Sequence, residues 1–181
     1  MGDEVTATGP LRGLRVVDAS AGTAGPLAAM LLGDLGADVV VVPLPSGAER
    51  DERDPGAAVR QRNKRIGTWA SVGLGPSHQP EEPVDVVVSD GGLPDDVVLH
   101  ERTVHLRVPP WLPGAGRPHD VESDALASAL LGVALRQHSD EPGPVDSVVP
   151  VLPVVHGVWA AAAVVAALGE RGASGRGQSV T

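Results

Sequence analysis

A strand–turn–helix–strand pattern over residues 14–45 constrains the fold of this chain most strongly. Leu14–Val17 is short, apolar and β-branched, which is typical of a strand buried on both faces. A glycine-containing turn follows, and apolar residues then repeat at helical spacing until Gly36 supplies a stop. The next strand is predicted over 37–42. Because such a crossover makes its two strands parallel, we predict an α/β fold: a Rossmann-like open sheet, mostly parallel, with helices on both faces.

The turn before the predicted helix is a candidate anion-binding site. Pro26 suits the first helical position, and the free backbone N–H groups at a helix start favour a phosphate. The turn is not G-x-G-x-x-G, and Pro43-Leu44-Pro45 stands where a dinucleotide fold places a ribose-binding acid, so NAD and nucleoside triphosphates are disfavoured. A structural turn that binds nothing is the alternative. The candidate contacts are Gly22, Thr23, Ala24 and Gly25.

Composition narrows the possible sites and partners. A chain of 181 residues suits one domain, and the absence of cysteine excludes a thiol nucleophile. The six histidines form no H-x-x-x-H pair, so no metal is expected. The net charge of −9 argues against nucleic acid and means that a polyanionic ligand would need local positive groups. No signal pattern or membrane-length run is recognised, Ala160–Leu168 being too short, so we expect no membrane partner and a cytoplasmic location.

The remaining segments give a coarse organisation. Residues 1–10 are expected to be a flexible lead-in, and 11–181 a single domain. Val145–Val155 contains Pro150 and Pro153 and is expected to be an extended loop. Two further strands and two helices are predicted over 84–89, 103–108, 123–137 and 155–171.

Three ordered segments resemble the family III CoA-transferases, the group that includes formyl-CoA and carnitine-CoA transferases and the α-methylacyl-CoA racemases. The first comprises L-x-G-L-R-V-V-D at 11–18, A-G-P at 24–26 and L-L-G-D-L-G-A-D-V-V at 31–40; the second is R-N-K-R-I at 62–66; the third is A-A-L-G-E-R at 166–171 with G-R-G-Q at 175–178. The resemblance implies coenzyme A or an acyl-CoA as ligand.

The second of these segments is basic in an otherwise acidic chain. In the resembled family this region lies near the CoA phosphates, so Arg62, Lys64 and Arg65 are candidate phosphate partners. A solvated basic face is the alternative interpretation. After the second predicted strand, Pro43 and Leu44 replace the acid and arginine that the family commonly carries.

The resemblance also implies a catalytic aspartate just before the last predicted helix, and this chain does not supply it. Alignment from both sides leads to Leu152–Pro153, and neither residue is acidic. The nearest preceding carboxylate, Asp146, is over ~20 Å away along extended chain. The place of the racemase histidine holds Ser123. His156 or Asp146 is a minor alternative for this role, so we predict no catalytic residue.

Three interpretations follow. A non-catalytic relative would retain an acyl-CoA-binding or oligomerisation surface. An active transferase or racemase subunit would be completed by a partner chain, because the sequence is truncated relative to the family. A decayed fragment would have no activity of its own. Expected partners are CoA or acyl-CoA and a homodimer or partner CoA-transferase chain.

Overall fold

A computed structural model describes residues 8–44, 56–74, 83–90, 92–109, 124–137, 143–145, 147 and 149–181. The strands are β1 (Arg15–Ala19), β2 (Asp38–Val41), β3 (Lys64–Ile66), β4 (Val86–Ser89), β5 (Val104–Arg107) and β6 (Ser179–Val180). They form one sheet in the order β3-β2-β1-β4-β5-β6, and all its paired strands are parallel. The predicted α/β class and open parallel sheet are confirmed, while β3 and β6 were not predicted.

Five helices accompany the sheet within the described residues. They are α1 (Ala24–Asp34), α2 (Ala57–Arg60), α3 (Asp124–Leu130), α4 (Val133–Arg136) and α5 (Val151–Ser174). The opening β1–α1–β2 unit lies where its pattern predicts, with Val16 paired to Val39 and Val17 to Val40. The single helix predicted over 123–137 is wrong, because Gly132 adopts a φ of 74° and separates α3 from α4.

One face of the sheet is covered by α1 and α5. Valines of the central strands, such as Val16, Val86 and Val104, point to this face and are almost fully buried. Small residues of both helices, such as Ala28 and Ala160, pack over them. A core made of valine and alanine brings the two helices close to the sheet and to each other.

The opposite face carries the alternate residues of the same strands. Val17, Val40 and Val87 are buried here, and residues from 69–74 and 93–99 cover them. Helices were expected on both faces. In the part of the chain that the structure describes, this second face is covered by turns and loops.

Helix α5 begins earlier than the sequence predicts. The extended loop expected over Val145–Val155 is wrong from Val151 onward, where α5 starts. Pro153 is the third residue of this helix, where its missing N–H breaks no backbone hydrogen bond.

By length and composition, α5 is also the one helix among the described residues that could cross a membrane, contrary to the expectation that no run reaches that length. Its inner side nevertheless packs on α1 and the sheet.

The segment before β1 is tied to the end of α1. The N–H of Leu11 donates to the carbonyl of Leu35 at 3.0 Å, and the N–H of Arg12 donates to the carbonyl of Gly9 at 3.2 Å. Residues 8–12 are therefore held in a turn. The rest of the predicted lead-in, residues 1–7, lies outside the described residues.

Candidate functional site

The order of the strands identifies the edge at which a ligand crevice is expected. From β1 the chain proceeds through β2 to β3 on one side, and then returns to place β4, β5 and β6 on the other. The order thus reverses between β1 and β4. In open parallel sheets, ligands bind beyond the carboxyl ends of the strands at such a switch point. The turn that follows β1 lies at this place.

The predicted turn contacts are arranged as a helix start with free donors. Gly22 is exposed with a φ of 63°, Thr23 is the N-cap, and α1 begins at Ala24. Thr23 makes no side-chain capping hydrogen bond. Within the described part of the chain, the backbone N–H groups of Gly22, Thr23, Ala24 and Gly25 have no hydrogen-bond partner. Pro26 is the third residue of α1 rather than the first, which leaves these donors unchanged. Such donors, at the positive end of a helix dipole, favour an anion.

A buried ionic network lies next to this turn, on the side that faces the protein interior. The Lys64 ammonium donates to Asp18 Oδ2 at 2.7 Å and to the Pro26 carbonyl at 2.8 Å. Both charged side chains are 1% exposed or less. The other carboxylate oxygen of Asp18 accepts hydrogen bonds from the backbone N–H and the hydroxyl of Ser20. Lys64 therefore lies near the turn, but its ammonium is directed into the protein.

Gly25 permits the close approach between this network and α1. A Cβ at position 25 would overlap the Ser20 side chain, so any larger residue would push α1 away from β1. The glycine of the A-G-P sequence at 24–26 is therefore required for packing, independently of any ligand.

The other two predicted phosphate partners lie at the opposite edge. Arg62 forms a bidentate pair with Asp34 at the end of α1, and Arg65 forms one with Asp38 at the start of β2. Hydrogen bonding to Arg62 lowers the pKa of Asp34, while Asp38 raises the pKa of Arg65. Since α1 has 11 residues, its ends are roughly 16 Å apart. The structure therefore does not bring these arginines together with the turn at 22–25.

A cavity of about 200 Å³ also lies at this opposite edge, where β1 and β2 begin, on the second face of the sheet. Arg15, Arg65 and Asp38 contribute its charged lining, with Val40 and Val72 among its apolar walls. Because Arg65 is paired with Asp38 and the cavity lies at the edge away from the switch point, we do not assign the ligand site to it.

Sequence reasoning missed an acidic residue at the switch point. The N–H of Ala21 donates to a carboxylate oxygen of Asp90, which directly follows β4. Asp90 fixes the turn and also places a negative charge beside the free donors of 22–25. The sequence signal for Asp90 is its position, because an acidic residue directly follows a strand that is predicted to be buried.

Residues 11–73 match the model of CoA-transferase family III. This match covers the N-terminal portion of the chain. Rv3272 from Mycobacterium tuberculosis, in an orthorhombic crystal form, is 26% identical with a TM-score of 0.70, covering 96% of this chain and 53% of its own. An aspartate-to-alanine variant of Rv3272 is 26% identical with a TM-score of 0.69 and the same coverage. A CAIB/BAIF family protein from Brucella suis shares the fold at 23% identity, with a TM-score of 0.70, 95% of this chain covered and 52% of that one.

The chain therefore spans about half the length of the solved structures that it matches. Two parts of the first family-like segment, 11–18 and 24–26, flank the switch-point turn, and the segment at 62–66 contributes Lys64, whose ammonium donates to the Pro26 carbonyl. The resemblance and the fold thus converge on the same edge of the sheet, although Arg62 and Arg65 face away from it.

The window in which the resemblance implies a catalytic aspartate lies close to the turn. A Cβ at Gly157 would come within 2.8 Å of the Ala24 carbonyl, so α5 crosses the start of α1 at this residue. Leu152–Pro153 lies one helical turn earlier, an axial distance of about 6 Å. The side chains at this place are apolar.

Of the minor alternatives for the catalytic group, the structure describes His156 but not Asp146. His156 lies on α5 next to the crossing with α1, and partial desolvation lowers its pKa. Asp146 and Ser123 lie outside the described residues. Within the described ranges, no group of three or more His, Cys, Asp or Glu residues is arranged to hold a metal ion.

Proposed function

We propose that this chain is a relative of the family III CoA-transferases and binds CoA or an acyl-CoA at the switch point, with an anionic group of the ligand on the backbone donors of 22–25. The observation that carries the proposal is the set of four adjacent N–H groups without a partner among the described residues. Each such donor costs free energy when it is desolvated and unpaired, so an anion that binds them gains more than ordinary contact energy.

The charge around the site supports binding of moderate strength. The ammonium of Lys64 is bound to Asp18 and Pro26, and Asp90 adds a negative charge at the turn. The backbone and the α1 dipole must therefore supply most of the attraction. We expect binding to weaken with salt less steeply than at a site built from exposed lysines and arginines.

We further propose that the chain does not catalyse transfer by itself. In the resembled transferases a carboxylate attacks the thioester, and this step requires an oxygen nucleophile within about 3–3.5 Å of the thioester carbonyl. Leu152 and Pro153 have no such group, and they occupy the start of α5 near the turn. A bound acyl-CoA would therefore remain unreacted.

Titration calorimetry with CoA and acetyl-CoA tests the binding site through Thr23. An aspartate at this N-cap would accept hydrogen bonds from the same donors and add a charge at the positive end of the helix dipole, so Thr23→Asp should stabilise α1 by about 0.3–1 kcal/mol. The same charge should weaken CoA binding by about tenfold.

Two further variants control this experiment. Thr23→Ser keeps a neutral hydroxyl and should bind CoA like the unmodified chain. Asp90→Asn removes the opposing charge and should tighten binding severalfold. A Thr23→Asp chain that is stabilised but binds CoA unchanged, or an unmodified chain that releases no heat with CoA, would remove the proposed site.

A second candidate function is acyl transfer by this chain together with another polypeptide. The chain matches 53% of the length of Rv3272. Acyl transfer assayed with and without a candidate partner that carries the remaining half separates the two. Turnover only in the mixture favours the subunit, whereas binding without turnover in both favours the non-catalytic relative.

A further inference from the structure

The cavity at the edge where β1 and β2 begin combines charged and apolar walls. We call it the edge cavity; its described lining residues all lie between positions 15 and 84, so the chain supplies these walls itself. Val17 and Val40 point to the second face of the sheet and form part of its floor. Because alternate residues of a strand share a face, Arg15 and Asp38 point to the same side. Two opposite charges therefore stand beside a floor of valine.

A turn held by its own hydrogen bonds forms another wall of the edge cavity. The N–H of Thr68 donates to the Ser71 hydroxyl at 2.8 Å, and the N–H of Ser71 donates to the Thr68 hydroxyl at 3.1 Å. The indole of Trp69 donates to the Pro43 carbonyl at 3.0 Å. Gly67 packs so closely that a Cβ there would lie 2.7 Å from the Ser71 hydroxyl oxygen. The wall is therefore preformed, and a ligand would not have to order it.

The charged rim of the edge cavity is positive. Among its described residues, Arg15 and Arg65 supply two guanidinium groups and Asp38 supplies one carboxylate, which leaves one net positive charge. Asp38 accepts from Arg65 at 3.0 and 2.6 Å, and these two hydrogen bonds use two of the five N–H groups of a guanidinium. The chain as a whole has a net charge of −9, so this rim is a local exception. Such a rim favours an anion.

The size of the edge cavity selects a small ligand. A volume of about 200 Å³ equals that of roughly six or seven water molecules at liquid density, and pockets for drug-sized ligands start near about 300 Å³. Coenzyme A is far too large for this space, whereas a carboxylate with a chain of about four carbons matches it. Such a chain would displace water from the buried side chains of Val17, Val40 and Val72.

We propose that the edge cavity binds a free short-chain monocarboxylate, with its oxygens on Arg15 and Arg65 and its apolar chain against the valine floor. A guanidinium presents paired N–H groups that match the two oxygens of a carboxylate. The side chains of Arg65 and Asp38 are 67% and 49% exposed, and exposed pairs contribute little to stability. Arg65 can therefore share its donors with a second carboxylate at small cost.

The edge cavity is separate from the site proposed for CoA. β1 alone spans about 13 Å between Arg15 and Ala19, and the turn at 22–25 lies beyond its far end. The window at 152–153 belongs to α5, which covers the other face of the sheet. A carboxylate in the edge cavity would therefore be neither a part of bound CoA nor an acceptor in acyl transfer.

Titration of the isotope-labelled full chain with sodium butyrate, followed by amide chemical shifts, tests this site. We expect saturable shifts of the Val17, Val40 and Val72 amides, with a dissociation constant on the order of 1 mM for a ligand of about six heavy atoms. Butyramide, a neutral isostere, and the cation butylamine should each bind at least tenfold more weakly. Absence of saturable shifts, equal binding of butyrate and butyramide, or butyrate shifts confined to the amides of 22–25 would overturn the proposal.

Two arginine variants test the carboxylate contact. Arg65→Met should weaken butyrate about tenfold, because it removes a cation and leaves the charge of Asp38 at the rim. Arg62→Met is the matched control: Arg62 forms the same kind of bidentate pair with Asp34, but it is not part of the described lining. This variant should bind butyrate like the unmodified chain. Equal effects of the two variants would overturn the assignment to Arg65.

Val72→Ile tests the apolar wall, because it adds a methylene group to a residue that lines the edge cavity. It should weaken butyrate severalfold without lowering the melting temperature, since the added group fills empty space. Unchanged butyrate binding by this variant would contradict the proposed position of the chain.

Saturating CoA in the same sample separates this proposal from the proposed function. CoA should leave the dissociation constant of butyrate unchanged, because the two sites lie at opposite edges of the sheet. Competition between CoA and butyrate would overturn the separate site. If CoA does not shift the amides of 22–25 while butyrate still shifts those of the edge cavity, only the proposed function is removed.

Discussion

Replacement of Lys64 by methionine separates a structural role of this lysine from a role in ligand binding. Methionine has a similar length but no charge, so the change removes the ammonium from Asp18 and from the Pro26 carbonyl. Asp18 is fully buried and would keep its carboxylate in a poorly solvated place. Breaking one partner of a buried pair costs about 3–5 kcal/mol, because the remaining charge is uncompensated.

Arg65→Met is the matched control for this measurement. It removes a cation from the same strand, but Arg65 and Asp38 are 67% and 49% exposed, and such pairs contribute about 0–1 kcal/mol. Urea unfolding at pH 7, followed by circular dichroism, measures both free energies of unfolding. The total stability of a domain is typically about 5–15 kcal/mol, so a loss near 4 kcal/mol is measurable and leaves many such proteins folded.

A double variant tests whether the cost arises from the unpaired carboxylate. Asp18→Asn in the Lys64→Met background removes the charge and retains an oxygen that can accept from Ser20. We expect this second change to recover part of the lost stability. If Lys64→Met costs no more than Arg65→Met but abolishes CoA binding, the structural assignment of Lys64 is refuted and it becomes a ligand contact.

Two further predictions concern the core of the fold. Gly25→Ala should destabilise the chain by about 1–3 kcal/mol in the same urea assay, because the added Cβ overlaps Ser20; a neutral or stabilising effect would contradict the close approach of α1 to β1. Stability should also fall as the pH decreases below about 6.5, because burial, assisted by Arg107, lowers the pKa of His105, so the unfolded chain takes up the proton first. His105→Gln should reduce this slope between pH 7.5 and 5.5, and an unchanged slope would show that His105 is not responsible.

The sequence predicts the β1–α1–β2 unit because several signals agree there: β-branched runs, helical spacing and a glycine at each end of the helix. Strand β3 lacks these signals, being three residues long with two of them charged. Its formation depends on pairing with β2 and on the buried contact between Lys64 and Asp18, which are 46 residues apart. A contact between residues so far apart cannot be predicted from the local sequence pattern.

Proline misled the interpretation of the last helix. Pro150 and Pro153 predict an extended loop, but Pro153 is the third residue of α5, where its missing N–H breaks no hydrogen bond. The sequence predicts only part of the candidate site, because some of its features are local and others depend on the tertiary fold. Backbone donors at 22–25 follow from the local pattern, whereas the direction in which Arg62 and Arg65 point depends on where Asp34 and Asp38 lie in the fold.

Amide chemical shifts of the 18.4 kDa chain during titration with CoA test the central claim most directly. We predict saturable shifts of the Gly22, Thr23, Ala24 and Gly25 amides, with no loss of added acetyl-CoA in the same sample. Unperturbed amides in this turn, or saturable shifts confined to the edge that carries Arg62 and Arg65, would contradict it.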